Sequence, residues 1–221
     1  MKYLIIGCYA VLFWSCGSSI KIVEKPIIFD QARTQLTLEY LSSRYGLEQT
    51  SPTITPTMIV LHWTFIPTFE KSYEAFYNST LPNWRPEIKT VSGLNVSTHF
   101  LVDTDGTIYR LMPETTMARH VIGLNHTAIG IENVGGTENT PLTTDQIKAN
   151  IKLVKYLASK YPIEFLIGHY EYTYFENHPL WLEKDIAYRT LKDDPGENFL
   201  NAVKQGTRHL KLKSAPNETN N

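Results

Sequence analysis

Cysteine is scarce in this chain of 221 residues: there are two, Cys8 and Cys16, both near the start. Everything after them lacks a thiol, which excludes a disulfide framework and a cysteine-ligated metal there. A metal site in that part must be built from histidine and carboxylate. An excess of either charge is also missing. Lys+Arg 21 against Asp+Glu 22 leaves no basic footprint, so nucleic acid is not an expected partner. Long apolar runs are absent too. Tyr3–Trp14 is the longest, and a membrane-spanning helix needs roughly 20 residues. No internal repeat or second-domain boundary is visible, while 42% hydrophobic residues suffice for one sizeable core.

Lys2 followed by the apolar stretch Tyr3–Trp14 suits a secretory signal. Ser15-Cys16-Gly17-Ser18 resembles the end of a bacterial lipoprotein signal, whose cysteine becomes the lipidated first residue. The expectation is export, with membrane anchoring through Cys16 or a periplasmic or extracellular location. The expected organisation is a signal peptide over 1–16, a tether over 17–26, one domain over 27–211 and a flexible tail over 212–221.

Along the chain, Phe29–Tyr45 has helical spacing of apolar residues and Gly46 as a stop. Met58–Leu61 reads as a strand, and Phe69–Tyr77 as a helix. L-P-N-W-R-P is a loop, whose Trp84 either stacks on a ligand or covers the core. Two apolar stretches flank Asp103-Thr104-Asp105-Gly106, a hairpin signal. Thr127–Glu132 is a further strand. Thr143 opens a helix to Tyr161 with Ile147, Ile151, Val154 and Leu157 at helical spacing, and Ile163–His169 is a strand after it. Gly196 to Leu210 is a last helix. Strands and helices alternate in a way that predicts an α/β domain with a mixed central β-sheet flanked by helices.

Two strands end alike: V-L-H closes on His62 and I-G-H on His169. Ligand sites in open α/β sheets gather at the carboxyl ends of strands. A lone histidine there is more often a hydrogen-bonded core residue, whereas two in matching positions point as much to a shared site. In K-D-D-P-G-E, Pro195 restricts Asp194 to extended backbone. That carboxylate either aims into a site or caps the following helix.

V-L-H-W-T, S-T-H-F-L-V-D-T-D-G-T-I-Y, I-G-I-E-N-V-G, I-G-H-Y and K-D-D-P-G-E-N-F occur in this order. Together they resemble zinc-dependent N-acetylmuramoyl-L-alanine amidases of the type-2 family, which share a fold with peptidoglycan recognition proteins. The resemblance covers roughly Ile54 to Phe199. It implies His62, His169 and Asp194 as zinc ligands, Glu132 as catalytic carboxylate, and Lys192 as an aid at the transition state. His120 in A-R-H-V matches a family histidine near the substrate. The implied substrate is peptidoglycan or a muropeptide. A non-catalytic peptidoglycan-binding module is the alternative, although members that only recognise usually lack a ligand.

The residue types suit that chemistry independently. Two imidazoles and a carboxylate are a common catalytic zinc set with one position left for water. A glutamate can then accept the water's proton, and an ammonium can stabilise an oxyanion. Two departures stand out. Residues 170–191 form an aromatic insertion whose Trp181 and tyrosines make either a wall for the substrate or a lid without contact to it. It also carries His178, a competing ligand. Asp193 competes with Asp194, and the Pro restriction favours Asp194. His99 and His126, as isolated residues, read as structural.

Overall fold

The computed structural model describes residues 20–83 and 86–216. The expected signal with Cys16, and Trp84, lie outside the described residues. No helix among the described residues is long and apolar enough to cross a membrane.

Strand β1 (Ile22–Glu24) is followed by helix α1 (Gln31–Tyr40), which runs into a π-helical turn over Leu41–Tyr45. The Asp30 side chain caps α1 by accepting from Arg33 N–H at 2.9 Å, and Gly46 closes the turn at φ 70°. Next come β2 (Met58–Trp63), α2 (Phe69–Tyr77), the short α3 (Pro86–Lys89), β3 (Phe100–Val102), β4 (Ile108–Arg110) and β5 (Ala128–Asn133). Helix α4 (Thr144–Lys160), β6 (Phe165–Gly168) and α5 (Glu197–Thr207) complete the set. Thr143 and Gln146 form a reciprocal capping box at the start of α4.

The strands form one mixed sheet in the order β1-β4-β3-β5-β2-β6, with β3 and β4 antiparallel around the Asp-Gly turn and the other pairs parallel. Strands β2, β5 and β6 are buried on both faces and therefore read as near-continuous apolar runs. Alternation divides them cleanly. Ile59, Leu61, Ile129, Ile131 and Leu166 pack with Leu153, Val154 and Leu157 of α4 and Leu200 and Val203 of α5. Met58, Val60, Ala128, Phe165 and Ile167 face the other way, onto Val121, Leu124, Tyr172 and Phe175. The expected mixed sheet with flanking helices is the observed architecture.

Several expected boundaries shift. Residues read as a tether supply β1, whose backbone pairs with the open edge of β4 while Ile22 packs on the core. An unpaired edge offers hydrogen bonds that composition does not display. Leu212–Ala215, read as tail, also lie against the domain. Leu166 N–H donates to Lys213 C=O at 3.0 Å, and Ala215 is buried.

The aromatic insertion is not a detachable lid at its start. Residues His169–Phe175 form a 3-10 turn that puts Tyr172 and Phe175 into the core, both essentially inaccessible. Phe175→Ala is therefore expected to cost about 3–5 kcal/mol, read by urea denaturation of the metal-free protein. A cost below about 1 kcal/mol would show that the insertion does not share the core.

Candidate metal centre

The register of the sheet assembles the site. In parallel pairs, residues in register point the same way, and β2–β5 registry sets His62 beside Glu132. Registry of β2 with β6 pairs Leu61 with Gly168, so His169, the next residue, arrives at the level of His62. Both histidines sit on the face opposite α4 and α5, at the carboxyl end of the parallel strands. The strand around His62 extends two residues further than expected, to Trp63. The strand before His169 stops at Gly168, whose N–H is taken by the Glu171 carboxylate at 2.9 Å.

Asp194 comes from the connection between the insertion and α5. Tyr170 N–H donates to Asp194 C=O at 3.1 Å and ties that connection to the turn carrying His169. A Cβ at Gly168 would meet the Tyr170 ring at 2.8 Å and Pro195 Cδ at 3.0 Å. Only glycine lets the Asp194–Pro195 segment approach so closely.

Three ligand-type atoms thus converge. His62 Nδ1 is 3.0 Å from His169 Nδ1 and 3.0 Å from Asp194 Oδ2, and His169 Nδ1 is 3.1 Å from that same oxygen. All three residues are buried. Among the described residues, this is the group of three or more His, Cys, Asp or Glu side chains whose donor atoms converge in this way. Asp193, the competing acid, is exposed and outside the triangle.

Hydrogen bonding from behind fixes the tautomers. His120 Nε2 faces the carbonyl oxygen of Ala128 at 3.2 Å and must donate to it. Neutral His120 then accepts at Nδ1, which lies 3.0 Å from His62 Nε2, so His62 carries its proton on Nε2. Its Nδ1 is bare and points at a carboxylate oxygen. Burial, with His169 adjacent, pushes His62 down to about 4 despite Asp194. Burial also pushes His120 well down, as do neighbouring His62 and His99. For Asp194, burial works upward, but the His169 and His62 imidazoles outweigh it and hold the carboxyl below the usual range. His62 Nδ1, His169 Nδ1 and Asp194 Oδ2 are three electron-rich atoms in mutual contact. Such a buried arrangement is costly unless a cation fills it. Ligand atoms about 2.0–2.1 Å from a tetrahedral zinc stand about 3.3 Å apart, close to the observed edges. The donor set fits zinc.

A cleft of about 660 Å³ opens above the triangle, lined by His62, His120, Glu132, His169, Lys192 and Asp194 together with Phe65, Tyr188 and Leu191. The other expected residues lie elsewhere. Trp181, read as part of either a wall for the substrate or a lid without contact to it, does not line this cleft. It stacks on Tyr172 at 6.1 Å under the Arg189 guanidinium at 4.5 Å. His178 packs edge-on against Phe165 and Phe175, and with His126 lines a second cavity. His99 accepts from Gly130 N–H at 3.0 Å and donates to Thr116 C=O at 2.8 Å, so it serves the fold.

Sequence reasoning missed a buried amide chain behind the site. Asn150 donates to Asn133 at 2.7 Å, and Asn133 donates to His62 C=O at 2.9 Å. Polar residues on the inward face of α4 and at the end of an apolar strand were its visible signal. Gly130 was missed as well: a Cβ there would meet the His120 ring at 2.9 Å, so the glycine makes room for that ring.

Residues 52–197 match the family model described as N-acetylmuramoyl-L-alanine amidase. The chain belongs to that family. Solved structures agree. N-acetylmuramoyl-L-alanine amidase LysC from Clostridium intestinale URNW is 25% identical, with TM-score 0.52, covering 88% of this chain and 100% of its own. An endolysin amidase LysCS from the same organism is likewise 25% identical at TM-score 0.52, over 89% and 100%. No curated protein matches the chain.

The amidase carries two further histidines whose titration bears on stability, His99 buried and His126 half-buried. Burial drives His99 to about 4, against the Thr116 carbonyl and Glu114, and burial alone drives His126 to about 4. Unfolded histidines titrate near 6.5. Between these values the unfolded chain binds more protons, so stability falls as pH drops from about 6.5 to about 4. The urea midpoint of the metal-free amidase is expected to be lower at pH 5 than at pH 7. Equal midpoints would contradict the neutral state of these two residues in the folded protein.

Proposed function

We propose that this amidase is a zinc amidohydrolase that cleaves the bond between the lactyl carbonyl of N-acetylmuramic acid and L-alanine in peptidoglycan. The convergence of His62 Nδ1, His169 Nδ1 and Asp194 Oδ2 within 3.1 Å carries the reading. When bound, zinc supplies Lewis acidity, lowering the pKa of water from 15.7 toward about 7 and polarising a carbonyl.

The chain's own groups do the rest. His62, His169 and Asp194 hold the metal, and His120 holds His62 in the tautomer that exposes Nδ1. Glu132, in register with His62, takes the proton of the attacking water on its carboxylate and returns it to the departing alanine nitrogen. Lys192 lines the same cleft, and its Nζ stabilises the oxygen on which negative charge develops.

Zinc per chain and release of stem peptides from purified wall test the proposal together. One zinc with turnover supports it, whereas one zinc without turnover supports a binding module. Lys192→Ala is expected to keep zinc and lower kcat about tenfold or more, because it removes a charge that acts mainly on the transition state. An unchanged kcat would remove Lys192 from the mechanism.

From Lys2, the apolar stretch Tyr3–Trp14 and Ser15-Cys16-Gly17-Ser18 we also propose that residues 1–16 are an export signal and that Cys16 carries a lipid anchor to the cell envelope. Metabolic labelling with a fatty acid is expected to mark the wild type and not Cys16→Ser.

A further inference from the structure

Two large apolar side chains stand exposed beside the polar groups of the cleft. Phe65 and Leu191 both line the cleft and are 63% and 104% exposed. Each stands close in sequence to a candidate ligand, Phe65 three places after His62 and Leu191 three places before Asp194. Neither side chain is buried in a core cluster.

Phe65 has a second unusual property. Its φ is 55°, in the left-handed region that a side chain with a Cβ adopts at a cost. The neighbouring backbone enforces it. Phe65 N–H donates to Gly135 C=O at 2.9 Å, and Gly135 N–H donates to Ile66 C=O at 2.9 Å. The Thr64 hydroxyl donates to Ile66 C=O at 3.1 Å. The ring leans only loosely on Trp63, with centroids 6.2 Å apart. Burial does not repay this conformation, since the ring stays in solvent. Backbone strain imposed by its surroundings clusters at ligand clamps.

We propose that Phe65 and Leu191 form an apolar rim that grips the methyl-bearing segment on either side of the scissile amide. This rests on the substrate read above, whose amide is flanked by a lactyl methyl and an alanine methyl. The polar groups of the cleft engage the amide, and the methyls need apolar surface to leave water. The rim supplies it and favours alanine over glycine at the first stem position.

The test uses zinc-loaded protein and two soluble muramoyl peptides that differ in alanine or glycine at that position. Phe65→Gly and Phe65→Asn keep the left-handed backbone and remove the ring. Each is expected to raise KM for the alanine substrate about tenfold with kcat within about twofold, and to shrink the preference over glycine. Leu191→Ser acts in the same direction, and Phe65→Tyr restores the wild-type KM. Thermal midpoints of the Phe65 variants stay level or rise. Unchanged KM and preference overturn the rim. So does a fall in midpoint that accompanies the loss, since the ring would then be structural. Calorimetric titration of metal-free wild type and Phe65→Gly with the alanine peptide keeps the two readings apart. If wild type does not turn over yet binds more tightly than the variant, the zinc chemistry fails and the rim stands.

Discussion

Asp194→Ala is expected to leave a folded protein that retains no zinc in chelator-buffered solution and shows no measurable turnover. Asp194 is the single anion of the three converging groups, and its charge offsets most of the cost of placing a dication in a buried site. Two neutral imidazoles remain after the change, a set that binds zinc weakly. A loss of at least about a thousandfold in zinc affinity follows from removing a direct ligand, since outer partners alone are worth about 10–100-fold. Asp193→Ala is the control, because Asp193 is exposed beside it, and it keeps the metal. Metal analysis after dialysis, read beside near-ultraviolet circular dichroism, measures both. Retention of zinc by Asp194→Ala, or its loss from Asp193→Ala, would put the carboxylate ligand elsewhere.

Glu132→Gln is expected to do the reverse, keeping one zinc per chain while kcat falls about 10²–10⁴-fold. The amide has the shape of the carboxylate but cannot take up the water's proton. Glu132 lies on β5 between its registry partners His62 and Leu101, so the exchange disturbs neither the triangle nor the sheet. Zinc titration and the rate of stem-peptide release separate the effects. A variant within about twofold of wild-type turnover would transfer the base role to another group.

These two outcomes bracket the site. One variant strips the metal, and the other leaves a loaded but inert centre. The His120 contact belongs with them as the support that keeps His62 Nδ1 turned toward Asp194.

Much of this was legible in the chain. The apolar runs before His62 and Glu132 announced strands, and their burial on both faces is why no polar alternation interrupts them. Thr143 marked the start of α4, and Asp105-Gly106 the hairpin. Other parts were not legible. Ile22–Glu24 reads as a linker until β4 offers its edge. Trp181 looks like a ligand platform until Tyr172 and Arg189 occupy its faces. Phe65 looks like an ordinary aromatic until the Ile66–Gly135 bridge turns its backbone left-handed.

By itself, the order of residues determined which side chains can hold a metal, since thiols are missing and few histidines follow apolar runs. It also determined the α/β class, because periodicity is written within a few neighbouring positions. Only the tertiary structure decided that atoms 107 and 132 positions apart meet within 3.0 Å, and which nitrogen of His62 faces Asp194 and His169. Strand registry and the hydrogen-bond chain through His120 to Ala128 depend on contacts between distant segments, and no local pattern encodes those.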